Sequence, residues 1–123
     1  MTVVKVKAGA CGFVTRIWAE KKDKREVNIR IESDCESVND LGLTLREMGP
    51  LNMKDVLSKG QNSNKVFRAA LEKLPHSACP ITVAILKACE VELGLAVPRP
   101  VSIEFKSDSE SSNLDLASAM SNR

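Results

Sequence analysis

The amino-acid sequence predicts an α+β domain, in which an antiparallel sheet of about four strands carries helices on one of its faces. Two observations support this fold class. Segments that alternate apolar and polar residues cluster near the N-terminus, and segments with helical spacing of apolar residues follow them. A chain of 123 residues is long enough for one hydrophobic core and too short for two. We therefore predict a single domain over residues 1–106 and a disordered tail over residues 107–123.

Three N-terminal strands are predicted from their alternation. They run from Thr2 to Lys7, from Phe13 to Glu20 and from Glu26 to Glu32. Residues 8–12 form a small turn with two glycines, and residues 21–25 form a basic hairpin tip, either simply solvated or in contact with an acidic partner or a phosphate. In an antiparallel meander, the end of the first strand, the start of the second and the end of the third lie together. We therefore expect Cys11 and Cys35 at the same end of the sheet.

The first predicted helix follows Cys35. Ser33 and Glu36 have the spacing of a capping box, which places Cys35 in the first helical turn. Gly49 and Pro50 end the helix. Its apolar side is formed by Val38, Leu41, Leu45 and Met48.

Three more helices and one strand complete the predicted domain. The helices run from Leu51 to Gly60, from Lys65 to Leu74 and from Ile81 to Leu93. Pro80 fits the first position of the last helix because that position needs no N–H donor, and Cys79 then lies on the helix N-terminus. The last strand is predicted by the alternation of Val101, Ile103 and Phe105, and the prolines before it favour an edge position.

Composition limits the compartment and the partners. The chain is 43% hydrophobic and 28% charged, and no apolar run is long enough to cross a bilayer, so we expect a cytoplasmic protein without membrane contact. No secretion signal is recognisable, which argues against a disulfide framework for the four cysteines. A net charge of +2 with only 3% aromatic residues argues against a nucleic-acid partner.

The four cysteines fall into two groups. Cys89 lies on the apolar side of the last helix and is predicted to be a core residue. Cys11, Cys35 and Cys79 each lie at a junction between elements, which burial alone does not require. We predict that these three thiolates bind an iron–sulfur cluster or zinc, and that His76, three residues before Cys79, is the candidate fourth ligand.

The function that follows is electron transfer, or service as an accessory to an anaerobic enzyme, with an unknown protein as the partner. Two alternatives stay open. The same cysteines would serve thiol-based redox chemistry, or they would be structural parts of a plain interaction domain. The sequence leaves undecided whether the protein is an enzyme.

Several motifs resemble those of a family of small uncharacterised proteins from methanogens and other anaerobes. The resemblance extends from Val3 to Phe105 and implies an anaerobic host, but it implies no activity. The segment from His76 to Pro80 is also similar to the second-cysteine region of the OsmC and Ohr hydroperoxide reductases. That likeness implies a resolving thiol at Cys79, with Cys35 in place of the peroxidatic cysteine. The motifs that carry the wider resemblance are Ala8-Gly9-Ala10-Cys11-Gly12-Phe13, Ser33-Asp34-Cys35, His76-Ser77-Ala78-Cys79-Pro80, and Lys87-Ala88-Cys89-Glu90-Val91 leading to Gly94-Leu95-Ala96-Val97-Pro98.

Overall fold

The structure is a computed structural model that describes residues 1–60 and 63–107. Within these ranges the chain forms four strands and four helices, which confirms the predicted α+β fold class. The strands are β1 (Thr2–Lys7), β2 (Val14–Asp23), β3 (Glu26–Ser33) and β4 (Leu51–Asn52). The helices are α1 (Glu36–Glu47), α2 (Met53–Leu57), α3 (Lys65–Lys73) and α4 (Ile81–Glu92). Apart from Ser107, the predicted disordered tail lies outside the described residues.

The strands form the predicted antiparallel meander. They lie side by side in chain order, and each is antiparallel to the next. Lys7 pairs with Val14 at one end of the sheet, and Thr15 pairs with Ser33. The turn between β1 and β2 therefore lies at the same end of the sheet as the end of β3.

The core lies between one face of the sheet and the helices. Ile17, Ala19 and Val27, on the inward face of β2 and β3, are fully buried. Helix α1 packs against β3, and α4 packs against β1 and β2. The approach of α1 depends on Gly42, because a Cβ at that position would lie 3.0 Å from the Cβ of Ile31. The fully buried residues of α4 are Ile81, Ile85, Ala88 and Cys89.

Glu92 fastens the C-terminal end of α4 to the sheet. One carboxylate oxygen accepts a hydrogen bond of 2.8 Å from the Thr2 hydroxyl, and the other accepts one of 2.8 Å from the Lys21 amide. The N-terminal ammonium lies 3.7 Å away. The bond from the Lys21 amide is the largest cause of a lowered pKa at Glu92, and the Thr2 hydroxyl and the ammonium act in the same direction.

The fourth strand is not where the alternation predicts it. Residues 101–105, which the structure describes, form no strand, and they are exposed along their whole length. The fourth strand is Leu51–Asn52 instead, which pairs with Val27 and Glu26 of β3 and shortens the predicted helix over residues 51–60 to α2. Leu51 is 2% exposed, so burial of one leucine at the edge of the core selects this pairing.

Two helix starts also differ from prediction. Cys35 is the N-cap of α1, and the Ser33 hydroxyl bonds to the Cys35 amide at 3.0 Å and to the Thr15 hydroxyl at 2.6 Å. The predicted capping box is wrong because Ser33 remains in β3, where the side chain of Asn39 bonds both its N–H and its C=O. Helix α4 begins at Ile81 as predicted, but Pro80 is its N-cap and not its first helical residue. In the part of the chain described, no helix has the length and apolar character that crossing a membrane requires.

Candidate functional site

Two of the predicted site cysteines lie at the same end of the sheet. Cys11 lies in the turn between β1 and β2, and Cys35 follows β3 at the same end. Because Glu92 ties the C-terminal end of α4 to the start of β1, the N-terminal end of α4 points toward the other end of the sheet. That end carries Cys79. The predicted placement of Cys11 and Cys35 at one end of the sheet therefore agrees with the topology, and the approach of Cys79 to them stays a prediction.

Sharing an end of the sheet does not assemble a metal centre. Among the residues that the structure describes, no three His, Cys, Asp or Glu side chains are grouped so that they could hold a metal ion. Cys11 and His76 are exposed, whereas Cys35 and Cys79 are half-buried and pack against the hydrophobic core. The four predicted ligands are therefore not gathered within one chain, and metal binding stays a prediction.

The turn that carries Cys11 is shaped by its own backbone. Gly9 and Gly12 have φ values of 97° and 72°, in the left-handed region that favours glycine. The Gly12 amide donates to the Gly9 carbonyl at 2.9 Å, and the Ala8 amide donates to the Phe13 carbonyl at 3.2 Å. A Cβ on either glycine would have no described atom within 4 Å. The glycines are needed for the turn itself and not for close approach to another group.

Cys89 is the core residue that the sequence predicts. It is 0% exposed, and burial, with the Glu90 carboxylate as a smaller cause, raises the pKa of its thiol to about 12. A thiol with this pKa is protonated at neutral pH. Burial and protonation both oppose reaction of Cys89, which agrees with its predicted place in the core.

The most distinctive surface is the sheet face that the helices leave uncovered, which we call the open face. Alternation places every second residue of β1, of β2 as far as Glu20 and of β3 from Asn28 onward on this face, and these side chains are more exposed than those of the inward face. Four of these side chains are basic and two are acidic, and a third acid, Glu26, continues the same phase at the start of β3. The open face consists of Val3, Lys5 and Lys7 of β1, Val14, Arg16, Trp18 and Glu20 of β2, and Asn28, Arg30 and Glu32 of β3.

Trp18 lies at the centre of the open face. It pairs with Val3 on one side and with Arg30 on the other. The guanidinium carbon of Arg30 lies 4.1 Å from the centroid of the indole ring, which is the geometry of a cation–π contact. A depression of about 500 Å³ beside the ring also borders Arg46 at the end of α1. An aromatic platform is thus held in place among basic side chains.

The open face was not singled out as a site from the sequence. The signal for it is present in β2, where Arg16, Trp18 and Glu20 alternate with the buried Ile17 and Ala19. Trp18 is half-buried and alternates with buried residues, so its ring lies on the face away from the core, and tryptophan is enriched among the residues that dominate protein interfaces. The chemistry of cysteine gives a clearer sequence signal than the uncovered face of a sheet does, although two of the three junction cysteines pack on the core.

Comparison with known proteins gives a family and no activity. A family model described as a family of unknown function (DUF6951) matches residues 2–105, from the start of β1 to Phe105. Neither the curated proteins nor the solved structures contain a match. The match confirms the prediction of an uncharacterised protein family.

Proposed function

The chain belongs to this family of unknown function, and since the family supplies no activity, we propose a role from the surface of the molecule: it is a protein-binding domain that docks an acidic segment of a partner protein on its open face. The observation that carries this proposal is the pairing of Trp18 with Arg30 in the middle of a basic sheet surface. Tryptophan and arginine are the residues that most often dominate the binding energy of protein interfaces.

Charge complementarity favours an acidic partner. The open face has four basic and two acidic side chains, and one of the acids, Glu32, already lies 3.7 Å from Arg30. Arg16 pairs with Lys5 across the β1–β2 ladder and with Glu32 across the β2–β3 ladder, so two neighbouring cations beside Trp18 face a single carboxylate. Carboxylates of a partner would relieve the repulsion between such neighbouring cations and would speed association.

A protein segment fits this face better than a nucleic acid does. Proteins that bind single-stranded nucleic acids stack successive bases on several aromatic side chains. The open face offers one aromatic ring, Trp18, next to the aliphatic Val3, which is 55% exposed. An apolar side chain of a partner covers Trp18 and Val3, while its carboxylates reach the surrounding lysines and arginines.

The cysteine-based functions stay predictions with separate tests. An iron–sulfur or zinc site would use Cys11, Cys35 and Cys79, with His76. The described chain does not bring three such ligands together, so a second chain or a change of conformation would have to do so. OsmC- or Ohr-like peroxide reduction would use Cys35 and Cys79 as a reversible disulfide. The cytoplasmic location and the anaerobic host also stay predictions, and the binding proposal does not depend on either of them.

The binding proposal is tested by titration of the emission of Trp18, the single tryptophan in the chain. The probes are a synthetic peptide of alternating Glu and Val, its Lys–Val counterpart, and a single-stranded oligonucleotide. We expect the Glu–Val peptide to shift the emission. A variant with Lys5→Glu and Arg16→Glu should bind it at least about tenfold more weakly, a difference of about 1.4 kcal/mol. The matched control carries Lys54→Glu and Lys73→Glu, two exposed lysines on α2 and α3, and should bind nearly as tightly as the unmodified protein.

Three outcomes would overturn the proposal. The first is equal binding of the Glu–Val peptide by the open-face variant and the control variant. The second is tighter binding of the oligonucleotide than of the peptide. The third is stoichiometric metal or acid-labile sulfide in anaerobically purified protein that is lost on Cys11→Ser, because it would show that the domain does not act by binding alone.

A further inference from the structure

Residues 101–105 have the pattern of a strand without a neighbour. Val101, Ile103 and Phe105 alternate with polar residues and are 61%, 77% and 96% exposed. Within the described chain, residues 101–106 take part in no backbone–backbone hydrogen bond. Exposed apolar side chains in this number are costly in water, which indicates a segment that another surface covers.

The outer edge of β1 is the complementary feature. In the described sheet β1 is the outermost strand on its side, so its outward N–H and C=O groups face no other strand. Its inward-facing Val4 and Val6 are only half-buried, whereas Ile17 and Ala19 of the adjacent β2 are fully buried. The core is therefore incomplete beneath β1, and the edge is a template for one more strand.

We propose that two copies of this chain exchange these segments, so that residues 101–105 of each copy add a strand to the outer edge of β1 of the other. The two contacts are identical and close a two-fold dimer. Main-chain hydrogen bonds hold each added strand, and its apolar side chains complete the core beside Val4 and Val6. The exchange uses the edge of the sheet and not the open face, so it is independent of the acidic partner proposed above.

In the described structure the segment does not pair with the β1 of its own chain, which leaves both the segment and the edge available to a second copy. Pro98 and Pro100 each fix one φ angle of the connector, which turns at Pro98, where the Arg99 amide donates to the Val97 carbonyl at 2.9 Å. The match to the family model starts at residue 2 and ends at residue 105, so β1 and the segment belong to the same family domain.

The area that the exchange buries is compatible with a stable dimer. A phenylalanine side chain alone buries about 150–250 Å². Two exchanged segments, together with the two edges that receive them, bury on the order of 1,200 Å², which is the lower limit for specific interfaces.

The test is the mass of the full chain in solution, measured by light scattering during gel filtration. We expect twice the chain mass of 13.4 kDa for the unmodified protein and the single chain mass for a variant with Ile103→Asp and Phe105→Asp. The matched control carries Leu43→Asp and Leu71→Asp, which are 57% and 58% exposed on α1 and α3, and should remain a dimer. Circular dichroism shows whether each variant keeps the fold.

Hydrogen exchange identifies the edge that is used. The β1 amides should exchange more slowly in the unmodified protein than in the Ile103→Asp, Phe105→Asp variant. A monomeric unmodified protein would overturn the proposal, even with protected β1 amides, because the segment would then pair with its own β1. A dimer that survives the two aspartates, or one whose β1 amides are no better protected, would overturn it as well.

Discussion

At the scale of single residues, the surroundings of each thiol decide how it reacts. Cys11 is exposed in a turn, Cys35 and Cys79 are half-buried against the core, and Cys89 is fully buried. Alkylation requires access of the reagent and the thiolate form, and burial removes both from Cys89. The four thiols therefore differ in reactivity although their side chains are identical.

We predict that a small alkylating reagent labels the thiols in the order of their exposure. Cys11 should be modified first, Cys35 and Cys79 more slowly, and Cys89 only when the protein unfolds. Peptide mass spectrometry over a time course gives the rate at each site, and the same reaction in concentrated denaturant is the control in which all four should react alike. Labelling of Cys89 at the rate of Cys11 under native conditions would contradict the structure.

The sequence predicts part of this order. Cys89 shares the buried side of α4 with Ile85 and Ala88, and helical periodicity alone places it in the core. Cys35 and Cys79 precede their helices, so the helical spacing of apolar residues does not predict whether they are buried. Their packing on the core depends on how α1 and α4 are set against the sheet, which local sequence does not encode.

At the scale of elements, the contact between α1 and β3 limits the size of one residue. Gly42 is buried in the middle of α1, and a Cβ there would lie 3.0 Å from the Cβ of Ile31. Real Cβ atoms rarely approach so closely, so Ile31 or the helix would have to move. The absence of a side chain on Gly42 therefore sets the distance between the helix and the strand.

We predict that Gly42→Val destabilises the protein by about 1–3 kcal/mol through overpacking. Valine forms helices better than glycine does, so helix propensity would stabilise the variant and any loss must come from the contact with Ile31. Urea unfolding measures the free energy. Leu43→Val, at the next and 57% exposed position of α1, is the control and should change stability by less than about 1 kcal/mol. Equal effects of the two substitutions would show that the contact is unimportant.

The strands, like the cysteines, are predicted from the sequence only where a local pattern determines them. Apolar and polar residues alternate along β1, β2 and β3 because one face of each strand is turned toward the core. The predicted bounds of these strands are within three residues of those observed. Residues 101–105 have an equally clear period but no described neighbour, whereas Leu51–Asn52 has no period and forms a strand. Alternation predicts the capacity to pair, and the rest of the fold decides which segment pairs.

At the scale of the whole molecule, the carboxylate of Glu92 links the helical layer to the sheet. Glu92 at the end of α4 accepts hydrogen bonds from Thr2 of β1 and Lys21 of β2 and lies beside the N-terminal ammonium. Its side chain is 13% exposed, so the charge interacts with its donors in a partly dry setting. These contacts connect residues more than 70 positions apart, and no local pattern in the sequence predicts them.

We predict that the Glu92 contacts make stability depend on pH in the acidic range. The donors lower the pKa of Glu92 in the folded protein, so the unfolded chain binds a proton more readily. The stabilisation is complete above the ordinary glutamate pKa of about 4.3, and it is lost as the pH falls through the lower pKa of the folded state. Urea unfolding at a series of pH values should show this loss in the unmodified protein.

Glu92→Gln isolates the contribution of the charge. The variant should be less stable than the unmodified protein at neutral pH, and the difference should shrink as the pH falls, because glutamine keeps a hydrogen-bond acceptor but does not titrate. Glu47→Gln, an exposed acid at the end of α1, is the matched control and should follow the unmodified protein throughout. If Glu92→Gln lowers stability by the same amount at every pH, the helix is fastened by the shape of the side chain and not by its charge.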